Sequence, residues 1–120
     1  MISTREQRPT LVTVKAISDE VIREAARQLG EAARKPARVI LFGSHARGEA
    51  DQGSDLDFLV IQEDGFSRRR EIVRLQAALS PLRVPAEVLV ISHEEAAKID
   101  RAGDALREAL SEGVVVYESS

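Results

Sequence analysis

The sequence predicts an α/β (α+β) domain in which helices flank a mixed central β-sheet, and three observations carry that reading. Arg38–Phe42, Asp57–Ile61 and Glu87–Ile91 are short, mostly apolar runs with polar or Pro/Gly-containing flanks, the signature of buried strands. The last two share one pattern, a single acid followed by four apolar residues, with about one helix's worth of chain between them, as expected of parallel neighbours joined by a crossover. The first run ends in Gly43-Ser44 and the second is opened by Asp55-Leu56-Asp57. Bringing those two polar ends together requires antiparallel pairing, so the sheet is mixed.

Taken in order, Met1–Thr10 is polar and reads as a loose arm, and Leu11–Val14 is either a short edge strand or docked coil. Residues 1–15 are therefore expected to be an N-terminal arm and 16–120 the domain itself. Ser18 is a good N-cap, Asp19 and Glu20 suit the positive end of a helix, and Val21, Ile22, Ala25, Ala26 and Leu29 recur at helical spacing. A helix is expected over 19–33, ending before Pro36. The Gly43–Gly53 link should hold a short helix through Ala46-Arg47, and the second strand should run from Asp55 to Gln62. Leu56, Phe58 and Val60 would pack on the face opposite the aspartates. A helix over 68–79 would turn Ile72, Val73, Leu75 and Leu79 inward. Arg68-Arg69-Arg70 on it is either a solvated face or a patch for an acidic partner or RNA. A strand over 86–91 follows Pro85. Ser92-His93-Glu94-Glu95 forms a capping box that starts a helix to about Arg101, with a second helix from Asp104 to Ser111 after the interruption at Gly103. Gly113 is the expected C-cap, Val114–Tyr117 a final short strand, and Tyr117 a packing residue.

The chemistry concentrates in Leu41–Val60. Gly43 and Ser44 sit where a strand gives way to a turn, so either backbone N–H groups, a glycine permitting close approach and a hydroxyl converge on an anion, or the pair is an ordinary Gly-Ser turn. Asp55 and Asp57, two apart on a strand, point the same way, and like charges held together call for a cation between them. Their oxygens suit Mg²⁺ shared with a substrate phosphate, or else they are a solvated strand end. In register, Glu87 stands beside Asp57 on the same face, as a third ligand or as the acid at a strand entrance. Arg47 is the cation placed to meet phosphate oxygens, the alternative being an ion pair. His45 and His93 have no visible partner for acid-base work.

At 120 residues the chain holds one domain, small for an enzyme with two substrates, which implies a partner, with self-association into a homo-oligomer as a further possibility. Seventeen basic against 20 acidic residues give a net charge of −3, which argues against direct nucleic-acid binding. The absence of cysteine excludes disulfides, thiolate zinc sites and a cysteine nucleophile. No signal-like or membrane-length apolar run is present, so a cytoplasmic, soluble protein with no membrane association is expected.

Gly43-Ser44, ten intervening residues and Asp55-Leu56-Asp57, with Ala46-Arg47-Gly48 inside, resemble the signature of the DNA polymerase β-like nucleotidyltransferase superfamily. The chain is similar in size to its minimal (MNT) branch, whose members pair with HEPN-domain proteins as antitoxins, and the resemblance covers Arg38–Glu118. It implies the polymerase β-like fold and metal-dependent transfer of a nucleotidyl group, AMP from ATP, to a hydroxyl of a HEPN-type toxin. It also implies two Mg²⁺ ions, with Mn²⁺ as substitute, held by Asp55, Asp57 and Glu87 as catalytic residues, and nucleotide contacts at Gly43, Ser44, Arg47 and Ser54. Where the family usually carries aspartate as the third acid, this chain has Glu87. Two rival functions stand beside this one, an antitoxin acting by binding alone and a nucleotidyltransferase acting on a small molecule of the aminoglycoside type.

Overall fold

A computed structural model describes residues 17–51, 53–98 and 104–120. The expected arm over 1–15 and the segment Leu11–Val14 lie outside the described residues. In chain order the elements are α1 (Asp19–Ala32), β1 (Ala37–Phe42), α2 (Ser44–Arg47), β2 (Leu56–Gln62), α3 (Arg68–Ala78), a 3-10 turn (Ser80–Leu82), β3 (Ala86–Ser92), α4 (His93–Ala97), α5 (Asp104–Glu112) and β4 (Val114–Ser119). The strands form one sheet in the order β3-β2-β1-β4. β1 runs antiparallel to both β2 and β4, and β3 lies parallel to β2. The sheet is mixed, as the two polar strand ends required.

Period-two alternation sends each strand's side chains to opposite faces, and both faces are covered. On one, Leu56, Phe58 and Val60 of β2 join Val39, Leu41, Val88 and Val90 under α1 and α3, with Ala25, Ala26, Leu29 and Leu75 supplied by the helices. Tyr117 packs at the margin of this cluster, its ring where a Cβ on Gly30 would have to lie. On the other face Ile40, Phe42, Leu59, Ile61 and Ile91 pack beneath Ala109, Leu106 and Leu110 of α5 and Ala96 of α4. β2 is buried on both faces for most of its length, because the C-terminal helices form a second covering layer.

Caps and turns follow their local chemistry. The Ser18 hydroxyl accepts from the Val21 N–H at the start of α1. Ser92 and Glu95 form the reciprocal capping box, Glu95 N–H donating to Ser92 Oγ at 3.0 Å and Ser92 N–H to Glu95 Oε1 at 2.9 Å. The helix it starts ends at Ala97, short of the expected Arg101, with Lys98 as C-cap. Gly113 N–H closes α5 by donating to the Ala109 carbonyl at 3.1 Å. On α3 the inward stripe is Glu71, Leu75 and Leu79 with Ile72 half-buried, and Val73 is 66% exposed. One residue rotates a helix by about 100°, so Val73 cannot share the face of Ile72 and Leu75 completely, and a buried acid takes the place assigned to it.

That acid is held by a network at the C-terminal end of β2. Gln62, fully buried, donates to Glu71 Oε2 at 2.6 Å and accepts from the Arg34 backbone N–H at 3.2 Å. Arg74 donates to both Glu71 oxygens at 2.7 and 2.8 Å. The Arg74 pair above all, with help from the Gln62 amide, holds the Glu71 carboxyl at about 2 against its burial. This clamp ties α3 and the loop after α1 to the strand whose opposite end carries the acids.

Candidate active site

The site forms where the C-terminal end of β1 meets the N-terminal ends of β2 and β3. Antiparallel register pairs Phe42 with Asp57, and parallel register pairs Asp57 with Glu87. Both acids therefore stand side by side on one face of the sheet, immediately below the turn at Gly43-Ser44. Phe42, Gly43, Ser44, Arg47, Asp57, Glu87, Leu89 and Glu108 line a cavity of about 430 Å³.

Gly43 decides how close turn and acid can be. Its φ of 81° and ψ of −160° lie where side chains are strongly disfavoured, and a Cβ there would fall on Asp57 Oδ2. The Gly43 carbonyl accepts from the N–H groups of Ala46 at 3.1 Å and Arg47 at 3.2 Å, which winds Ser44–Arg47 into α2 and ends it at Gly48 in the left-handed conformation. Asp57 pays for this crowding. Burial first, then the charges of Glu87, Asp55 and Glu108, push its carboxyl above the usual range, and His45 opposes them weakly.

Of the remaining residues expected in the site, Asp55 sits one position before β2, exposed and outside the cavity lining, yet its charge reaches Asp57. The Ser54 hydroxyl bonds within the link, accepting from the Asp51 N–H at 3.0 Å and facing Asp51 Oδ1 at 3.2 Å. His45, expected to be filler, bridges the two ends of the link through its Nε2, 3.3 Å from the Ser54 carbonyl. His93 is structural, lying outside the cavity lining with its Nε2 2.8 Å from the Pro36 carbonyl. Arg68 of the basic cluster is paired with Glu95. Sequence reasoning missed Glu108, which α5 brings over the acids and whose carboxylate takes the Arg47 guanidinium at 2.5 Å. No local pattern marks it, since only the packing of α5 on the sheet brings it there.

The cavity is lined by the carboxylates of Asp57, Glu87 and Glu108, the last paired with Arg47, and carboxylate oxygens are the donor type that suits Mg²⁺ or Mn²⁺. Among the described residues no three such side chains converge closely enough to ligate one ion.

The sequence matches the family model of the nucleotidyltransferase domain over residues 20–116. The chain belongs to this family. As a nucleotidyltransferase domain it shares its fold with several solved structures. One is a toxin–antitoxin complex with AMP-PNP, at 17% identity and a TM-score of 0.58, over 81% of this chain and 73% of that one. Another, described as a nucleotidyltransferase from Sulfolobus solfataricus, is matched over 96% of this chain and 93% of its own, at 16% identity and a TM-score of 0.57. A third is an MntA-HpeT toxin–antitoxin complex, at 14% identity and a TM-score of 0.55, over 81% and 73%. No curated protein matches the sequence. These neighbours share the polymerase β-like architecture, so the fold expected from the Gly43–Asp57 signature is the fold observed. No described helix is long and apolar enough to cross a membrane.

Proposed function

We propose that this nucleotidyltransferase domain transfers AMP from ATP to a hydroxyl on a HEPN-type toxin and thereby silences it. The observation that carries the reading is the pairing of Asp57 with Glu87 in adjacent parallel strands directly beneath the Gly43-Ser44 turn. Gly43 and Ser44 would bind the β- and γ-phosphates, with Arg47 at the rim of the same cavity and Ser54 holding the link in shape. Asp55, Asp57 and Glu87 would hold divalent metal, Mg²⁺ or Mn²⁺. When bound, the metal supplies charge neutralisation at the attacking and leaving oxygens.

The chain's own contribution is position and proton transfer. The acceptor oxygen forms a bond to the α-phosphorus, the bond to the β-phosphate bridging oxygen breaks, and pyrophosphate leaves. Glu87, on the open edge strand β3, takes the acceptor's proton. Asp57, held close against Gly43, is the carboxylate that would hold metal nearest the phosphate turn. The partner reading draws on the fold shared with toxin–antitoxin proteins, and on a cavity too small and open to enclose both nucleotide and acceptor without a second surface.

The test is the intact mass of a HEPN-domain partner after incubation with this chain, Mg²⁺ and each nucleoside triphosphate in turn, with Asp57→Ala as control. A mass increment of one or more nucleotidyl groups that the variant fails to produce is expected, and the increment names the nucleotide. A partner that is bound and silenced with unchanged mass would replace this reading with an antitoxin acting by binding alone. Glu87 in place of aspartate favours that second reading.

A further inference from the structure

Arg47 is committed on two sides. Its Nε donates to Glu49 Oε1 at 2.9 Å and its Nη1 to Glu108 Oε2 at 2.5 Å. A guanidinium presents two forks, Nε with Nη2 and Nη1 with Nη2, and bidentate recognition of a phosphate needs both donors of one fork. Each fork of Arg47 already has one donor engaged by a carboxylate. A phosphate that takes either fork therefore competes with a carboxylate for Arg47. The two carboxylates differ in position. Glu49 is 64% exposed and outside the cavity, whereas Glu108 is 33% exposed and lines it beside Ser44, Asp57 and Glu87. A polyanion entering the cavity meets Glu108, not Glu49.

We propose that Glu108 is a positioning residue that holds Arg47 in competition with the polyphosphate of a nucleotide, so that the Arg47–Glu108 pair sets the affinity of the pocket. The inference rests on the nucleotidyl-transfer reading above. Binding exchanges one charge-assisted contact of Arg47 for another. That exchange weakens nucleotide binding relative to a chain with a neutral residue at 108. The pair also links α5 to α2.

The test is isothermal titration of the full chain with α,β-methylene-ATP in Mg²⁺, a ligand whose α–β bond cannot be cleaved, for the wild type, Glu108→Gln, Glu49→Gln, Arg47→Gln, and Glu108→Gln combined with Arg47→Gln. Glu108→Gln is expected to tighten binding by about two- to fivefold, the worth of a partly exposed ion pair. The gain should vanish in the Arg47→Gln background, and Glu49→Gln should give a smaller gain. A Glu108 with a merely structural role would lower the melting temperature and leave affinity unchanged or weakened, which would overturn the proposal. So would a gain that persists without Arg47, since that is plain repulsion. Absence of nucleotide binding in all five proteins would refute the nucleotidyl-transfer reading as well, whereas binding indifferent to residue 108 would refute this inference alone.

Discussion

Substituting alanine at Gly43 tests the geometry of the site, and Gly48→Ala provides its internal control. Both glycines have positive φ, 81° and 74°, so both substitutions strain the backbone. They differ in what a Cβ meets. At Gly48 there is nothing within 4 Å, while at Gly43 the new atom overlaps Asp57 Oδ2 and comes within 3.1 Å of its Cγ and 3.3 Å of its Cβ. The ψ of 21° at Gly48 is ordinary left-handed backbone, which costs a side-chain-bearing residue about 1–2 kcal/mol. The ψ of −160° at Gly43 is nearly exclusive to glycine, and the strain there is about 1–3 kcal/mol. For a domain of this size each kcal/mol lowers Tm by roughly 4 °C. Thermal melting should thus show two destabilised but folded proteins, Gly43→Ala the less stable. Transfer should separate them far more. Asp57 must move aside for the Cβ, and a displacement of about 1 Å at a reacting centre costs about a hundredfold in rate. Gly48→Ala should retain most of its activity at a temperature where both are folded. Equal transfer by the two variants would refute the close approach of Gly43 to Asp57 as the basis of the site.

Three other outcomes are expected. Asp57→Asn should raise Tm while abolishing transfer, because a carboxyl whose folded pKa is raised opposes folding once pH exceeds the ordinary carboxylate range, and neutral asparagine removes that penalty. An unchanged or lowered Tm at pH 7 would contradict the crowding of acids around it. Glu71→Gln should destabilise the fold by about 2–3 kcal/mol after allowance for the half-exposed Arg74, with nucleotide affinity kept, since Glu71 clamps the far end of β2. Chemical denaturation and titration on the same sample check both halves. In wild type the same clamp sets an acid limb. Glu71's folded pKa is depressed to about 2, so its contribution is complete above the ordinary value of 4.5 and is lost as pH falls from there toward 2. A melting curve in Glu71→Gln that shows the wild-type loss over that window would exclude Glu71 as its source.

The acid-plus-apolar repeats at Asp57–Ile61 and Glu87–Ile91 were sufficient to foresee parallel neighbours in register, and the polar ends of β1 and β2 to foresee their antiparallel pairing. These are properties of short segments: a period of two fixes the face, a run of apolar side chains fixes burial, and the length of a connection limits the direction of its strands. The caps at Ser18 and Ser92 were legible for the same reason, each resting on contacts three residues apart. What the chain did not disclose alone depends on parts brought together from far along it. Val73 looked inward until the clamp of Gln62, Glu71 and Arg74 claimed the buried stripe of α3. What covers the aspartate face of β2 was not named by any local pattern, and α5 is found there. Glu108 carried no local signal, being 61 residues from Arg47, and it entered the site only through the packing of Ala109 and Leu110 on the sheet. Local chemistry thus determined which elements form and which ends carry acids. The long-range packing of one amphipathic helix decided which charges meet, because apolar burial positions a helix and its neighbouring polar side chains are carried along with it.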